Sequence, residues 1–233
     1  MIIYYSTDIS DSIVLLVDDE HRHCSKVTRK KAGDHVWVTD GLRKLYQCEL
    51  IASNRHETQL QIINEEETKP LPYDLAIAIA PTKNNSRLEW FLEKATEIGV
   101  SEIYPILTKR GERQHLKMDR LEKIIISAMK QSKNLYLPKL HKALEWSSFL
   151  QGASSYDFKG IAHCADVEQH LSTFLNKNSQ RIVLCIGPEG DFTDEEIQES
   201  QEHGFQEVNL GRSRLRTETA GIVACSIVAQ AFI

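Results

Sequence analysis

The sequence predicts an α/β fold with a mainly parallel sheet covered by helices on both faces, preceded by a small β-rich domain. Three observations support this prediction. Short strand patterns with turn signals fill the first part of the chain, an acidic, proline-containing segment follows at residues 64–72, and apolar strand patterns then alternate with amphipathic helix patterns. We therefore expect one domain at residues 1–68 and a second at residues 73–233.

The first domain is predicted from four short segments of alternating or β-branched residues. These segments are 13–17, 35–39, 46–51 and 58–63. Asp40-Gly41 lies between two of them and is typical of a hairpin turn. The spacing of Cys24 and Val27 in a basic stretch indicates a short helix. Short strands with turn signals predict a small barrel.

The second domain is predicted from five apolar strand patterns separated by helix patterns. The strands are 75–80, 103–107, 160–165, 181–186 and 208–210, and Pro105 indicates an edge or a bulge. Four pairs have the spacing of a capping box at a helix start: Ser86 with Glu89, Asp119 with Glu122, Asp166 with Gln169, and Thr193 with Glu196.

The last helix, expected at about residues 219–232, is small or apolar on nearly every side. Such a helix is buried. Because little of the chain is left to cover it, we expect part of its surface to form a homodimer interface.

Composition narrows the functional classes. Of the 233 residues, 41% are hydrophobic and 26% are charged, which is normal for a soluble globular protein. We expect neither a membrane span nor a signal peptide. Five cysteines without a C-x-x-C motif predict reduced thiols in a cytoplasmic protein. We expect no metal site, because His21, His23 and Cys24 have basic neighbours and no second cluster with zinc-like spacing.

One basic stretch is a candidate for RNA binding. Net charge is −5, which argues against nonspecific coating of nucleic acid, although a local patch matters more than the sum. Between residues 21 and 31 the chain has no acid and five basic residues: Arg22, Lys26, Arg29, Lys30 and Lys31. A solvated face and an RNA-docking surface both fit such a run.

Two strands near the end of the chain each lead into a glycine turn. Residues 181–186 precede Gly187-Pro188-Glu189-Gly190, and residues 208–210 precede Gly211. Paired turns of this kind predict a ligand crevice at the carboxyl edge of an open α/β sheet, although the first alone is also an ordinary turn. The chain contains neither G-x-G-x-x-G nor G-x-x-x-x-G-K-[ST]. A nucleotide-like ligand would therefore be held without those phosphate-binding loops.

The segments Ile186-Gly-Pro-Glu-Gly190 and Leu210-Gly-Arg-Ser-Arg-Leu-Arg-Thr-Glu-Thr-Ala220 resemble the ribosomal RNA small-subunit methyltransferase E family. The resemblance continues upstream through residues 81–83, 94–100, 129–132 and 163–164, and so covers nearly the whole chain. It implies a SPOUT-type, trefoil-knotted α/β domain after a PUA-like β-barrel that contacts RNA. It also implies methyl transfer from S-adenosylmethionine to N3 of a uridine in 16S rRNA.

The resemblance also implies site residues. It places the cofactor against Leu184, Ile186, Gly187, Glu189, Gly190, Leu210, Gly211, Leu215, Arg216, Thr217 and Ala220. The expected RNA contacts are Arg22, Lys26, Arg29, Lys30, Lys83, Arg212 and Arg214. Arg216 is the expected cation beside the uracil anion that forms when N3 loses its proton. Glu189 is expected to act as a base or to favour the sulfonium, or else to accept backbone hydrogen bonds in its own turn.

Two positions depart from the family pattern. Asp191 stands where a second glycine is usual, and Lys133-Asn134 follow Ser132 where an arginine often does. From the residues alone, other functions stay open. They are an α/β hydrolase or nucleotide enzyme, which the missing G-x-S-x-G motif weakens, a non-catalytic RNA-binding module, and a SPOUT methyltransferase for another RNA.

Overall fold

The computed structural model describes residues 1–112, 115–164, 167–176 and 180–233. The chain divides into two compact units. Unit 1 comprises residues 1–70 and 126–137, and unit 2 comprises residues 71–125 and 138–233. The chain thus returns to unit 1 through the second half of a helix at Met118–Ser132. No sequence pattern assigned that returning segment to the first domain.

Unit 1 contains a six-stranded sheet in which β1 pairs parallel with β4 and the other described pairs are antiparallel. The strands are β1 (Ile3–Tyr5), β2 (Ile9–Ser10), β3 (Ile13–Val17), β4 (His35–Thr39), β5 (Lys44–Ser53) and β6 (Glu57–Glu67), in the order β1-β4-β5-β6-β3-β2. Ser6 Oγ donates to Leu15 O at 2.6 Å, so the segment between the two edge strands β1 and β2 is tied to β3. The four predicted strands are confirmed, whereas β1 and β2 are too short to give a pattern.

The basic stretch of unit 1 is helical, as its spacing predicted. It forms α1 (Asp18–Arg22) and a π-helical turn at His23–Val27. Its buried residues are His21, whose Nδ1 lies 2.8 Å from Thr58 Oγ1, and Cys24. Val27 is 66% exposed, so only Cys24 of the predicted apolar pair faces the core.

Unit 2 contains a sheet in which every described strand pair is parallel. Its strands are β7 (Asp74–Ile79), β8 (Glu102–Leu107), β9 (Lys139–Leu140), β10 (Leu144–Glu145), β11 (Phe158–Ala162), β12 (Arg181–Ile186) and β13 (Gln206–Val208). The order is β10-β8-β7-β12-β11-β13, with β9 also beside β8. The predicted parallel sheet is confirmed.

Helices cover both faces of this sheet, as predicted. They are α2 (Asn85–Ile98), α4 (Trp146–Gly152), α5 (Asp194–Glu202) and α6 (Thr217–Ala231), while α3 (Met118–Ser132) begins in unit 2 and ends in unit 1. On one face α2 approaches α6 so closely that a Cβ at Gly221 would lie 2.5 Å from Phe91. On the other face the small residues Ala76 and Ala78 pack in one cluster with Trp146. Among the described residues, no helix is long and apolar enough to cross a membrane.

Several local predictions for unit 2 are wrong. Asn84 rather than Ser86 caps α2, because its side chain accepts a hydrogen bond from Ser86 N at 3.0 Å. Asp119 lies inside the first turn of α3 rather than before it. The helix expected after Gln169 is a single 3-10 turn at Leu171–Thr173, and Asp166 lies outside the described residues. The strands β11 and β13 each begin two residues earlier than predicted. The capping box of Thr193 and Glu196 is confirmed.

Pro105 lies inside the sheet rather than in an edge strand. Its partner in β7 is Ile79. On the other side, β9 pairs with residues 102–103 of β8 and β10 pairs with residues 106–107. Pro105 therefore lies between the part of β8 that pairs with β9 and the part that pairs with β10, so its missing N–H costs no hydrogen bond on that side.

A polar network lies at the amino end of β8. Glu102 Oε2 accepts hydrogen bonds from Tyr104 OH at 2.8 Å and from His141 Nε2 at 2.6 Å. The His141 ring stacks on Tyr104 with ring centroids 3.8 Å apart. Burial acts to raise the pKa of Glu102, but the hydrogen bonds from Tyr104 and His141 outweigh it and the pKa is lowered.

The lowered pKa of Glu102 predicts a loss of stability in acid. The contribution is fully present above the pKa of an unfolded glutamate, about 4.3, and is lost as the pH falls through the lower folded pKa. Glu102→Gln should therefore lower the melting temperature at neutral pH and flatten its fall in acid. Thermal unfolding from about pH 7 to pH 3 measures both effects. The control is Glu65→Gln, which removes an exposed ion pair with Lys44; identical profiles for the two variants would contradict the prediction.

Candidate functional site

The carboxyl ends of β11, β12 and β13 meet at one edge of the unit 2 sheet. The three strands are adjacent and parallel, and Ala162 pairs with both Ile186 and Val208, so all three strands end at the same level. The chain leaves this edge in three loops, which begin at His163, Gly187 and Asn209. Together they surround a cavity of about 720 Å³. The volume is typical of a small-molecule site, which spans about 300–1,000 Å³.

Residues from all three loops and from the first turn of α6 line this cavity. The lining comprises Ala162, His163, Cys164, Val167, His170, Ile186, Gly187, Pro188, Asp191, Val208, Asn209, Leu210, Gly211, Arg212, Ser213, Arg214, Leu215, Thr217 and Ala220. Apolar strand ends lie beside a few charged and amide groups. Such a mixture suits a ligand with an apolar ring and polar ends.

The start of α6 is fixed to the loop after β12. Thr217 is the first residue of α6, and its buried Oγ1 donates to Gly187 O at 2.9 Å. Arg216 precedes it in extended backbone and makes no side-chain cap. This bond closes the cavity between the second and third loops.

Asp191 joins the loop after β12 to the loop after β11. Its Oδ2 accepts from Cys164 N at 2.8 Å, and its Oδ1 accepts from Phe192 N at 2.8 Å. The backbone of Asp191 has φ +64°, in the left-handed region that favours glycine. This conformation explains why glycine suits the position, and the two hydrogen bonds explain how aspartate is tolerated there.

Asn209 likewise joins two of the loops, on the other side of the cavity. Its Nδ2 donates to Val167 O at 2.6 Å and to Glu168 O at 3.2 Å. Its backbone O accepts from Leu171 N at 3.0 Å. The segment after β11 is therefore attached to both of the other loops.

The two predicted glycine turns need glycine for different reasons. Gly211 has φ +137°, but a Cβ there would meet nothing within 4 Å, so the requirement is conformational. A Cβ at Gly187 would lie 3.0 Å from the ring of Phe192, which is buried in the core, so the requirement there is space. A substitution at Gly187 would therefore disturb the fold as well as the cavity, and Gly211 is the cleaner position to test.

The structure brings together most, but not all, of the residues expected around the cofactor. Seven line the cavity: Ile186, Gly187, Leu210, Gly211, Leu215, Thr217 and Ala220. Four do not. Leu184 is buried inside β12, and Arg216 is exposed. Gly190 is held from outside the cavity through its carbonyl, which accepts from Arg110 Nη1 at 2.9 Å. Glu189 Oε1 accepts from Lys83 N at 3.4 Å and lies 3.6 Å from Arg87 Nη1.

The residues expected to bind RNA fall into two groups. Arg212 and Arg214 line the cavity itself, and Lys83 lies beside Glu112, with Nζ 2.8 Å from Oε2. In unit 1, Arg22, Lys26 and Arg29 are exposed. Lys30 is half-buried, and its Nζ donates to His35 O at 3.4 Å.

Sequence reasoning missed part of the lining, chiefly His163, Cys164, His170, Asp191 and Asn209. His163, Cys164 and Asn209 lie directly after strand ends, whereas His170 and Asp191 lie further along their loops and had no such signal. His163 Nε2 lies 2.7 Å from Glu207 Oε2, which fixes the ring. Desolvation and the Asp191 carboxylate raise the pKa of the Cys164 thiol, although Arg214 opposes them, so the thiol is a poor nucleophile. Among the described residues, no group of three metal-ligating side chains would hold a metal ion.

Comparisons with known proteins cover both units. An RNA methyltransferase domain family matches residues 69–229, and an RNA methyltransferase PUA domain family matches residues 16–63. A Synechocystis protein named ribosomal RNA small subunit methyltransferase E is 29% identical over 93% of this chain and 72% of its own length.

Two solved structures are similar over nearly their full length. A probable rRNA-methyltransferase from Porphyromonas gingivalis is 35% identical, with a TM-score of 0.91, over 100% of this chain and 98% of its own. A ribosomal RNA small subunit methyltransferase E from Neisseria gonorrhoeae, bound to S-adenosyl methionine, is 28% identical, with a TM-score of 0.87, over 97% of this chain and 95% of its own.

The contacts of Asp191 predict how its substitutions differ. Asp191→Ala should free the Cys164 and Phe192 amides and keep the left-handed backbone, which costs an alanine about 1–2 kcal/mol. Asp191→Gly loses the same hydrogen bonds without that strain. Amide hydrogen exchange at Cys164 and Phe192 should therefore be fast in both variants, while the melting temperature should fall further in the alanine variant. Slow exchange at both amides in Asp191→Ala would contradict this account.

Proposed function

The chain belongs to the RNA methyltransferase family, within the group of ribosomal RNA small subunit methyltransferases E, and we propose that it methylates N3 of a uridine in 16S rRNA with S-adenosylmethionine as donor. The observation that supports this most strongly is the cavity at the ends of β11, β12 and β13. Both glycine turns by which the sequence resembles the family border it.

The residues around the cavity fit S-adenosylmethionine. Gly211 and Ala220 leave room that larger side chains would fill, and the space around Gly211 is open. The strand ends at Ile186 and Val208 offer apolar contact to a purine ring, and the loop backbones offer polar groups to its edge. Asp191 adds a carboxylate to the lining that suits a cationic ligand.

The bound donor supplies a methyl group on an electron-poor sulfur, so the protein mainly has to align donor and acceptor. Thr217, Asp191 and Asn209 do this indirectly, because their hydrogen bonds fix the three loops to one another. Arg216 as the cation beside the uracil stays a proposal. Its side chain is exposed and lies outside the cavity lining.

Binding of the donor tests this proposal. Gly211→Ala places a side chain in a strained conformation that costs on the order of 1–3 kcal/mol, which corresponds to roughly 5- to 150-fold in affinity if the loop must move to relieve it. Calorimetry should show that loss for S-adenosylmethionine. The control is Gly33→Ala, where φ is also positive and the space is also open, but in unit 1. Unchanged donor affinity in Gly211→Ala would contradict the proposed site.

We propose that the domain at residues 1–68 is PUA-like and docks the RNA, while the domain at residues 73–233 carries out the transfer. The match of a PUA domain family to residues 16–63 supports the first part. The side chains of Arg22, Lys26 and Arg29 are exposed and supply a basic surface at the end of α1 and in the turns after it, with Arg22 also 3.3 Å from the Asp19 carboxylate. Arg212 and Arg214 lie at the donor cavity, where they would contact the target strand.

The basic surface predicts a salt-dependent contribution to RNA affinity. Arg22, Lys26 and Arg29 changed together to Ala should reduce the slope of log K against log salt by about 2, since each contact to a single strand contributes about 0.7. Lys30 is left intact, because its ammonium supports β4. The control changes three exposed lysines, Lys69, Lys139 and Lys142. Equal slopes for the two triple variants would show that the surface is only solvated.

The protein is further proposed to be a cytoplasmic homodimer that acts on the small ribosomal subunit. Ala224 is fully buried within its own chain, so α6 is not free on every side. Its half-buried residues Ile222, Val223 and Ile227 are the ones available to a partner. Sedimentation as a monomer at all accessible concentrations would refute the dimer.

A further inference from the structure

A polar cluster that no sequence pattern indicated lies at the start of α2. Arg87 is in the first turn of this helix, between two carboxylates. Its Nη1 is 3.6 Å from Glu189 Oε1, and its Nε is 3.7 Å from Glu218 Oε1. Both distances exceed the length of a hydrogen bond. Within the described ranges no acceptor is hydrogen-bonded to the Arg87 guanidinium, so its N–H donors are available to a ligand.

Glu218 forms the closed side of this cluster. It is 7% exposed, and its Oε2 is buried without a hydrogen-bond partner among the described residues. A buried carboxylate oxygen without a donor is costly and needs an explanation. The neighbouring guanidinium supplies one, because the negative charge of Glu218 holds Arg87 in place.

Arg87 and Glu189 form the open side. Their side chains are 35% and 40% exposed, so a ligand can reach both groups. Each carboxylate also follows a residue of the cavity wall: Glu189 follows Pro188, and Glu218 follows Thr217. An exposed donor group and an exposed acceptor group therefore stand side by side, next in the chain to the wall of the donor cavity.

We propose that Arg87 and Glu189 bind the acceptor uracil and that Glu218 is the positioning residue behind them. This assignment rests on the proposed function. Uracil presents an N3–H donor flanked by two carbonyl oxygens. The Glu189 carboxylate accepts the N3–H hydrogen bond while the Arg87 guanidinium donates to a neighbouring carbonyl. Cytosine has a lone pair instead of a proton at N3, so the same carboxylate repels it, and the pair selects uracil.

The same two groups would assist the reaction. The N3–H bond breaks, its proton passes to the Glu189 carboxylate, and its electron pair stays on the ring. Arg87 stabilises the resulting charge on the carbonyl oxygen. The protonated Glu189 carboxyl then turns away from N3, and the N3 electron pair forms the bond to the methyl carbon of the sulfonium donor as the carbon–sulfur bond breaks and its pair stays on sulfur. Glu189 finally releases the proton to water.

Single-turnover methylation of 16S rRNA at saturating protein and donor tests the assignment. Arg87→Ala should slow the step by about 10²- to 10³-fold, as for one lost oxyanion donor, and Arg87→Lys should recover part of it. Glu189→Gln should slow it by about 10²- to 10⁴-fold, as for a lost general base, and its rate should rise with pH as more uracil ionises unaided. Glu218→Gln should slow it less, because it removes only the charge that holds Arg87 and leaves the groups that contact the uracil.

The matched controls are an exposed arginine and an exposed glutamate of the same unit that form ion pairs. Arg120→Ala removes the pair with Glu89, and Glu195→Gln removes the pair with Lys109. Both should leave the rate unchanged. Arg216→Ala is measured in parallel as the competing cation. Ultraviolet titration of an RNA bound without donor gives a readout independent of turnover, since wild-type protein should lower the pKa of the bound uridine N3 and Arg87→Ala should not.

The outcomes separate this assignment from the proposed function. The assignment is supported if the Arg87 and Glu189 variants are slow but bind the donor with wild-type affinity, and if the uridine N3 pKa is lowered only when Arg87 is present. Unchanged rates, a loss that disappears at saturating protein, or a larger loss in Arg216→Ala than in Arg87→Ala would overturn it while methylation by the wild type stands. A wild-type protein that neither binds the donor nor methylates uridine overturns the proposed function and this assignment together.

Discussion

The arrangement of the site depends on the parallel pairing of β12 with β7 on one side and β11 on the other. The register aligns Ile79 with Ile186 and Ile186 with Ala162, and Ala162 aligns in turn with Val208. Because parallel strands leave a sheet at the same edge, four loops that are far apart in sequence meet there. The centre of the sheet is fully apolar: Ile77, Val183 and Ile161 are completely buried. That core fixes the points at which the loops begin, and the residues that would contact ligands lie on the loops above it.

Above the core, a few hydrogen bonds determine the shape of the site. Asp191 and Asn209 hold the loop after β11, and Thr217 holds the start of α6 on the loop after β12. The loop after β12 belongs to two polar regions at once. Gly187 and Pro188 face the cavity, while the Glu189 carboxylate faces Arg87 and its carbonyl accepts from Arg214 at 3.5 Å. A movement of this one loop would therefore affect both donor binding and the groups beside the acceptor.

The sequence was sufficient for the fold class and for the two glycine turns that border the cavity, because apolar strands and glycine turns are local signals. It failed where tertiary contacts decide. Asn84 rather than Ser86 caps α2. The helix expected near Leu171 is a 3-10 turn, because the Leu171 amide donates to the Asn209 carbonyl instead. The return of residues 126–137 to unit 1 also leaves no local pattern.

The role of charged residues was the least predictable part of the site. The sequence pointed to Arg216 as the cation beside the uracil and gave no role to Arg87, and only the structure shows Arg87 between two carboxylates, one of them buried. Similarly, Asp191 appeared as a departure from the expected glycine, whereas its side chain compensates for the left-handed backbone with two hydrogen bonds. Residues in contact that lie so far apart in the chain form no recognisable spacing, so a single sequence does not reveal that they pair.

The proposed reaction, methylation of N3 of a uridine in 16S rRNA, leaves a product that can be mapped on the RNA. The most direct measurement is mass-spectrometric mapping of 16S rRNA from a strain lacking this protein, before and after incubation with the purified protein and S-adenosylmethionine. One fragment should lack a methyl group before incubation and gain it afterwards at uridine N3, and the Gly211→Ala protein should restore it less efficiently. A fragment map that is the same with and without the protein, or a methyl group gained on a ribose or another base, would contradict it.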